Sequence, residues 1–279
     1  MKEINSTAIT DAVIKLCAQA NYELPEDVLN AVRTAYDKEQ EPAKSVLSEI
    51  IENAELAAKE QIPLCQDTGT ANFFIKLGAD VKISGIPLIK AVNKGVSQSY
   101  KENYLRKSIV NDPLERKNTQ DNTPANIYVE ETEGGKIEIT FLPKGGGSEN
   151  ASMLAMLAPA AGWQGVKDFV IQVIKQKGAN ACPPLIVGVG IGGDFSTVAK
   201  IAKQTLIRQI GSKNTDVHYN EKEEELLKEI NALGIGAMGL GGKTTALAVF
   251  IDAKPAHIAS LPVAVSIQCH SCRRQTIIL

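Results

Sequence analysis

Strand-like runs, amphipathic helical segments and glycine-rich turns alternate along the whole of this 279-residue chain. Apolar residues at helical spacing predict a first helix over residues 6–20, and two prolines open further helices, over residues 26–38 and from Pro42 onwards. Strand-like segments follow at residues 72–77, 185–189 and 246–251. This interleaving, without repeats or a low-complexity linker, predicts one α+β (mixed α/β) domain over residues 1–279, with short mixed sheets and an N-terminal helical layer.

Three local patterns in the middle of the chain make further predictions. Pro87 is expected to open a helix that runs to about residue 107 and carries Arg106 in its last turns. Residues 127–131 and 136–142 flank an EGG turn, which is typical of a β-hairpin. Three consecutive glycines, residues 145–147, stand between a strand and a predicted helix beside Lys144. Exposed N–H groups at a helix N-terminus favour an anion, and a tight turn without a ligand is the alternative.

Charge and hydropathy exclude several classes of partner. The formal net charge is −2, from 30 Lys+Arg against 32 Asp+Glu, so no nucleic acid or acidic membrane surface is expected as a partner. The N-terminus has no apolar signal region, and no apolar run approaches the roughly 20 residues of a membrane span. The sequence therefore predicts a cytoplasmic protein without a membrane segment.

Five cysteines offer the next constraint. An odd number in a cytoplasmic chain argues against a disulfide framework. Cys65, Cys182 and Cys269 each lie beside Gly or Pro, or directly after a strand-like run. Three thiolates from distant loops suit an iron–sulfur cluster in which one iron lacks a protein ligand and is a Lewis acid. The alternative is that these thiols are buried or incidental.

Three familiar motifs are present but incomplete. Residues 188–193 match the dinucleotide pattern G-x-G-x-x-G, but Asp216, at the required distance, follows a helix and a polar loop. Residues 239–244 resemble a phosphate-binding loop, except that Ala237 stands where the pattern needs glycine and a strand follows. Cys269 and Cys272 form a C-x-x-C without the second pair that zinc requires. A nucleotide-dependent enzyme is therefore a weak alternative.

Taken together, the unusual segments resemble the class I, iron–sulfur fumarate hydratases and the related tartrate dehydratases. The resemblance spans nearly the whole chain and corresponds to the α subunit of members that have two subunits. The segments that carry it, in chain order, are CQDTG at residues 65–69, KGGGSEN at 144–150, ACPP at 181–184, GLGGKT at 239–244 and HIASLPVAVSIQCH at 257–270.

The resemblance implies a cofactor and a set of site residues. It implies a [4Fe–4S] cluster held by Cys65, Cys182 and Cys269, and no role for Cys272. The residues that it implies for the substrate pocket are Gln66, Asp67, Arg106 and the backbone near Gly146. It also implies that His257 lies beside the oxygen at the cluster, where Asp67 and His257 pass a proton to or from that oxygen. Arg273 and Arg274 are left as either structural or functional.

The activity that the resemblance implies is the reversible hydration of fumarate to (S)-malate, with L(+)-tartrate as the alternative substrate. A β subunit is expected to supply the carbon base, in an assembly of two α and two β subunits, so the chain alone is expected to be inactive. An accessible iron also implies sensitivity to oxygen. The alternative from a different class is a metal-free module that binds an anion through residues 144–147.

Overall fold

The computed structural model describes residues 2–279 and confirms the α+β class, with helices and mixed sheets interleaved along the chain. The helices are α1 (Ser6–Tyr22), α2 (Glu26–Lys38), α3 (Ala43–Glu60), α4 (Leu88–Glu102), α5 (Gly146–Asn150), α6 (Gly162–Lys177), α7 (Val198–Thr205) and α8 (Val217–Ala232). The strands are β1 (Lys2–Asn5), β2 (Thr70–Gly78), β3 (Val81–Ser84), β4 (Asn126–Thr132), β5 (Ile137–Lys144), β6 (Met153–Leu157), β7 (Leu185–Gly193), β8 (Ala246–Ala256), β9 (Leu261–Gln268) and β10 (Gln275–Ile278).

These elements form two compact units, each with its own four-stranded sheet and apolar core. The first unit contains the chain up to Pro25, then Ala54–Gly146 and Arg273–Leu279. The second contains Glu26–Asn53 and Gly147–Cys272. Within residues 2–279, no helix is long and apolar enough to cross a membrane.

In the first unit, β2 is an inner strand of a sheet ordered β10-β5-β2-β4. Alternate side chains of β2 enter the core, where the rings of Phe73 and Phe141 lie 5.0 Å apart. Helices α1 and α4 cover this face with apolar side chains that include Val13 and Val96. Each such side chain contributes about 1.5–3 kcal/mol when fully buried, so this core stabilises the sheet from which the neighbouring loops extend.

The predicted β-hairpin over residues 127–142 is wrong. Both of its strands exist, but β4 pairs with β2 in parallel and β5 pairs with β2 antiparallel, so β2 separates them. The EGG turn instead crosses the end of β2, where Gly78 N donates to Lys136 O and Asp80 N donates to Gly134 O. The pattern correctly identified two strands and a turn, but their pairing partner lies about 60 residues earlier in the chain.

The predicted extent of α4 is also wrong, because the helix ends at Glu102 rather than near residue 107. The Asn103 side chain donates to Ser99 O at 3.0 Å, and Tyr104 adopts a left-handed conformation with φ 54°. An amide side chain that bonds to the last turn offers the backbone an alternative to continuing the helix. Arg106 therefore lies in a loop after α4.

In the second unit, β7 is an inner strand of a sheet ordered β6-β9-β7-β8, parallel to β8 and antiparallel to β9. Side chains of α6 and α8, such as Val170 and Leu226, share a core with Val187. Ala202 of α7 belongs to a separate cluster with Ala264 of β9. Residues 153–157, after the triple glycine, form strand β6, and the predicted helix there is limited to the five residues of α5.

Two glycines of the dinucleotide-like motif allow α7 to pack closely on β7. A Cβ atom at Gly188 would lie 2.3 Å from Ala202 O, and one at Gly190 would lie 2.5 Å from Val198 O. Both lie inside the strand rather than in a turn that faces a ligand. The structure thus explains the glycines of this motif by close contact between helix and strand.

Candidate active site

The loop between α3 and β2 presents a thiol, an amide and a carboxylate in succession. Cys65 is partly exposed, and its Sγ lies 3.4 Å from Oε1 of the exposed Gln66. The Asp67 carboxylate accepts two backbone hydrogen bonds, from Gly69 N to Oδ1 at 3.0 Å and from Gly146 N to Oδ2 at 2.7 Å. The carboxylate therefore has a defined orientation before any ligand binds.

The backbone of this loop is anchored inside the first unit. Leu64 N donates to Asn21 O at 2.8 Å, which attaches the loop to α1. The buried Tyr100 hydroxyl lies 3.2 Å from both Thr68 O and Gly69 O. Since burial removes water as an alternative partner, these bonds hold the loop in one conformation.

Arg106 lies beside the same loop. Thr68 Oγ1 donates to Arg106 O at 3.2 Å, and the arginine is exposed. The first unit thus brings together Gln66, Asp67 and Arg106 with Gly146. Arg106 was expected in the last turns of a helix, but it reaches this position on the loop that follows α4.

The triple-glycine segment does not present the expected N–H group to an external anion. Gly146 N is bonded to the Asp67 carboxylate, and α5 has only five residues. A Cβ atom at Gly145 would lie 3.2 Å from Asp67 Oδ2, so a small residue is favoured there by the approach of the carboxylate. Lys144 is fully buried. In this structure the anion at the glycine segment is the chain's own Asp67.

In the second unit, Cys182 and Cys269 are brought close together by a contact between residues 88 positions apart. His270 donates its N–H to Cys182 O at 3.3 Å, and its Nδ1 lies 3.0 Å from the same oxygen. Cys182 is exposed and has a left-handed backbone, φ 53°. Cys269 is partly exposed directly after β9.

The other two cysteines are buried. Cys272, although three residues from Cys269, is 1% exposed and its Sγ lies 3.8 Å from Leu206 O. Cys17 is fully buried in the core of the first unit. None of the five cysteines, all within the described part of the chain, forms a disulfide. Exposure therefore separates Cys65, Cys182 and Cys269 from Cys17 and Cys272.

Burial of Cys17 predicts a loss of stability at alkaline pH. Desolvation raises the pKa of its thiol above the usual value of 9.0, so the folded protein keeps the proton that the unfolded chain releases. Stability from this group is intact below about pH 9 and falls by about 1.4 kcal/mol per pH unit above it. Urea unfolding of the wild type and Cys17→Ala at pH 8 and pH 10 measures this difference.

The Cys17→Ala variant carries every other ionisable group, including the buried Tyr100, so the comparison isolates one thiol. We expect the wild type to lose about 1.4 kcal/mol more than the variant between these pH values. Equal losses in the two proteins would contradict the prediction.

His257 lies at the opposite end of the second unit's sheet from Cys182 and Cys269. It follows the C-terminal end of β8, beside the C-terminal end of β7, whereas Cys182 precedes β7. Because β9 runs antiparallel to β7, Cys269 lies at the start of β7. The eight residues of β9 span roughly 25 Å. Within this unit, His257 and the two cysteines therefore lie at opposite ends of the sheet, whereas the resemblance implied that His257 lies beside the cluster.

The phosphate-loop-like segment also binds one of the chain's own carboxylates. Glu39, at the end of α2, is 5% exposed and accepts hydrogen bonds from Lys243 N at 3.0 Å and Thr244 N at 2.6 Å. These N–H groups are the kind that would otherwise contact a nucleotide phosphate. In this structure, Glu39 accepts hydrogen bonds from both of them.

The donor chemistry of the chain fits an iron–sulfur cluster. Such clusters are held by cysteine thiolates, and the three cysteines that are exposed or partly exposed are those that the resemblance assigned as ligands. Two of them, Cys182 and Cys269, are linked in the second unit through the hydrogen bonds of His270 to Cys182 O. No group of three or more His, Cys, Asp or Glu side chains is already arranged as a metal site among residues 2–279.

Sequence reasoning missed the groups that hold the loop from within. Tyr100 lies on α4, and a buried tyrosine needs a partner for its hydroxyl, so that need was a usable signal. Asn122 Nδ2 donates to Gly69 O at 3.2 Å, and Arg273 donates to Asp67 O at 3.0 Å. Their sequence neighbourhood shows nothing unusual except the pair of arginines after the C-x-x-C.

Comparison with known proteins shows the family of this chain. Over residues 10–278 the chain matches the family described as fumarate hydratase (fumerase). It is 45% identical over 273 residues to a protein of Methanocaldococcus jannaschii provisionally named L(+)-tartrate dehydratase subunit alpha, covering 95% of each chain. It is 30% identical over 279 residues to the L(+)-tartrate dehydratase subunit alpha of Escherichia coli O157:H7, covering 97% of this chain and 90% of that protein.

These similarities identify the class of enzyme as a hydro-lyase, which adds water to a carbon–carbon double bond or removes it. The chain belongs to the fumarate hydratase family, as the sequence resemblance predicted.

Proposed function

We propose that this chain is the α subunit of an iron–sulfur hydro-lyase that interconverts fumarate and (S)-malate. A [4Fe–4S] cluster would be held by Cys65, Cys182 and Cys269, the three cysteines that are not buried. The observation that carries the proposal is the loop of residues 65–69. There, two residues after a partly exposed thiol, a carboxylate is oriented by two backbone N–H groups.

Substrate binding is assigned to the polar groups beside this loop. Arg106 presents an exposed guanidinium, whose planar fork suits a substrate carboxylate. Gln66 is exposed next to the Cys65 thiol and offers an amide to the same substrate. Gly146 contributes through Asp67, because its N–H is bonded to that carboxylate.

Dehydration of malate removes a hydroxyl from one carbon and a proton from the next. When bound, a cluster with three protein ligands supplies Lewis acidity toward the departing hydroxyl oxygen. Asp67 is assigned to carry a proton to or from that oxygen, since both of its carboxylate oxygens are held in fixed directions. His257 is not assigned to this transfer, because it lies at the far end of the sheet from Cys182 and Cys269.

A partner chain is part of the proposal. The relatives from both organisms are named as alpha subunits, which supports a β subunit here as well. We assign to that subunit the base that removes the carbon-bound proton and further cations for the second substrate carboxylate. An assembly of two α and two β subunits in the cytoplasm is the arrangement that we propose.

L(+)-tartrate is the second candidate substrate, and the names of the two relatives favour it. Its dehydration breaks the same kinds of bond and gives an enol that becomes oxaloacetate. The chain should be co-expressed with the neighbouring reading frame and assayed without oxygen on both substrates. Fumarate is followed by its ultraviolet absorbance, and oxaloacetate by coupled oxidation of NADH.

Substitution of the cysteines tests the ligand assignment, with the C-x-x-C pair as its own control. Cys65→Ser, Cys182→Ser and Cys269→Ser are expected to lose bound iron and sulfide and to reduce activity by at least about 100-fold, since a missing thiolate releases the cluster. Cys272→Ala is expected to retain the iron, the sulfide and the activity, because in the wild type the Cys272 thiol is directed to Leu206 O. Iron, sulfide and the visible absorption spectrum are measured after anaerobic reconstitution.

Three results would contradict the proposal. Iron retained by Cys269→Ser but lost by Cys272→Ala would show that Cys272, and not Cys269, is the ligand. Reconstituted wild type without iron would exclude the cluster and favour the metal-free module. Malate–fumarate interconversion by the chain alone, well above that of buffer, would exclude the need for a partner.

A further inference from the structure

A buried arginine lies behind the 65–69 loop of the first unit. Arg273 is 1% exposed, Nη1 donates to Asn21 Oδ1 at 3.0 Å, and Nη2 donates to Asp67 O at 3.0 Å. Both acceptors are uncharged oxygens. Its Nε is also buried and has no hydrogen-bond acceptor among the described residues. One guanidinium therefore joins α1 to the backbone of the residue assigned to proton transfer.

Retaining this group is costly for the fold. A guanidinium stays protonated at any physiological pH, and burying it against uncharged hydrogen-bond acceptors is unfavourable. An apolar side chain of similar size would avoid that cost and the unsatisfied Nε. Stability alone therefore does not explain why an arginine is buried here. The better explanation is that Arg273 orients the backbone of Asp67.

The carbonyl groups of three successive loop residues are held by side chains from separate parts of the unit. Asp67 O accepts from Arg273, while Thr68 O and Gly69 O are bonded by the Tyr100 hydroxyl. Burial raises the pKa of Tyr100 well above 10.0, and the Arg273 charge opposes that increase while the Asp67 charge adds to it. The Arg273 cation and the Asp67 carboxylate thus both act on the Tyr100 hydroxyl.

We propose that Arg273 is a positioning residue for the hydro-lyase reaction, which keeps the Asp67 carboxylate in register by holding its backbone carbonyl from inside the unit. This inference rests on the function proposed for the loop. Nη1 and Nη2 form a rigid fork that fixes Asp67 O relative to Asn21, and Asn21 O in turn accepts from Leu64 N. The fork therefore anchors the loop on both sides of Cys65.

The test compares Arg273→Met with Arg208→Met, a matched control in the second unit. Arg208 is also an arginine fork, with Nη1 2.6 Å and Nη2 3.3 Å from the two carboxylate oxygens of the buried Glu223. Its loss should destabilise the protein without touching the 65–69 loop. Hydrogen–deuterium exchange of the full chain, without substrate, is followed in peptides that cover residues 64–70 and 144–150.

Arg273→Met is expected to speed exchange in these two peptides by about 10-fold or more, since the amides of Gly69 and Gly146 both donate to Asp67. Arg208→Met is expected to speed exchange near residues 208–223 and to leave the loop unchanged. In the assembled enzyme, Arg273→Met should lower kcat by about 10–100-fold with less than about 3-fold change in KM, because orientation rather than binding is lost.

Equal exchange of the loop in wild type and Arg273→Met would overturn the inference, and so would equal acceleration by both variants. If Arg273→Met does not fold, Arg273→Lys replaces it. The lysine keeps the charge but not the fork, so the loop should still exchange several-fold faster, and an unchanged rate would again overturn the inference. A wild-type enzyme that is inactive on both substrates would instead contradict the proposed function. The exchange experiment needs no substrate, so it would still test whether Arg273 holds the loop.

Discussion

Replacing Asp67 with asparagine is expected to lower kcat by about 10²–10⁴-fold while the protein remains folded. The amide cannot take up or release the proton that dehydration transfers. It can still accept from Gly69 N through its oxygen, but its NH₂ group would then face the Gly146 N–H, which the carboxylate now binds. The measurement is kcat and KM on malate and on tartrate, with iron content determined in the same samples.

Asp112→Asn is the matched control for this experiment. Asp112 also lies in a loop of the first unit and also accepts two backbone N–H bonds, from Leu114 and Glu115, both at 2.8 Å. It has no contact with the 65–69 loop in the described hydrogen bonds, so its variant should retain full activity. Activity of Asp67→Asn within about 3-fold of wild type would remove Asp67 from the mechanism.

Replacing Gly69 with alanine is expected to destabilise the first unit by about 3 kcal/mol or more. Gly69 has φ +75°, and an added Cβ would lie 2.6 Å from both C and O of Lys144. Those are backbone atoms of β5, whose Lys144 is paired with Thr70 at the start of β2. The clash can be relieved only by moving a strand out of register, so both stability and loop geometry should be lost. Urea unfolding measures the change.

Gly134→Ala separates the effect of the contact from that of the backbone conformation. Gly134 has φ +92° and nothing within 4 Å of an added Cβ, so it should cost only about 1–2 kcal/mol for its left-handed backbone. Similar losses for the two variants would show that close approach to Lys144 is unimportant.

Local elements were predictable where local chemistry decides them. Residues 26–38 became α2 and residues 72–77 lie inside β2, because helical spacing and a run of strand-forming residues are read over short distances. The hairpin prediction failed because β2, which lies much earlier in the chain, pairs with both of the predicted hairpin strands. Single-sequence patterns identify strands well and strand partners poorly.

The candidate site shows the same difference between what local sequence predicts and what long-range pairing decides. Cys65, Gln66 and Asp67 could be singled out because a thiol, an amide and an acid are adjacent in the chain, framed by Pro63 and Gly69. The position of His257 could not be predicted, because the number of residues between His257 and Cys269 does not show which way the strand between them runs. Twelve residues in a helix or loop can return to the same place, whereas β9 carries the chain across the whole sheet.

The sequence by itself determined the family, the chemical groups available for reaction and the order in which they occur. Only the tertiary structure decided which of those groups are already hydrogen-bonded to another part of the same chain. Gly146 N and the N–H groups of Lys243 and Thr244 look from the sequence like sites for outside anions, and they bind Asp67 and Glu39 instead. The reason is that a backbone N–H bonds to whatever acceptor the fold brings within about 3 Å, and here that acceptor comes from a distant part of the chain.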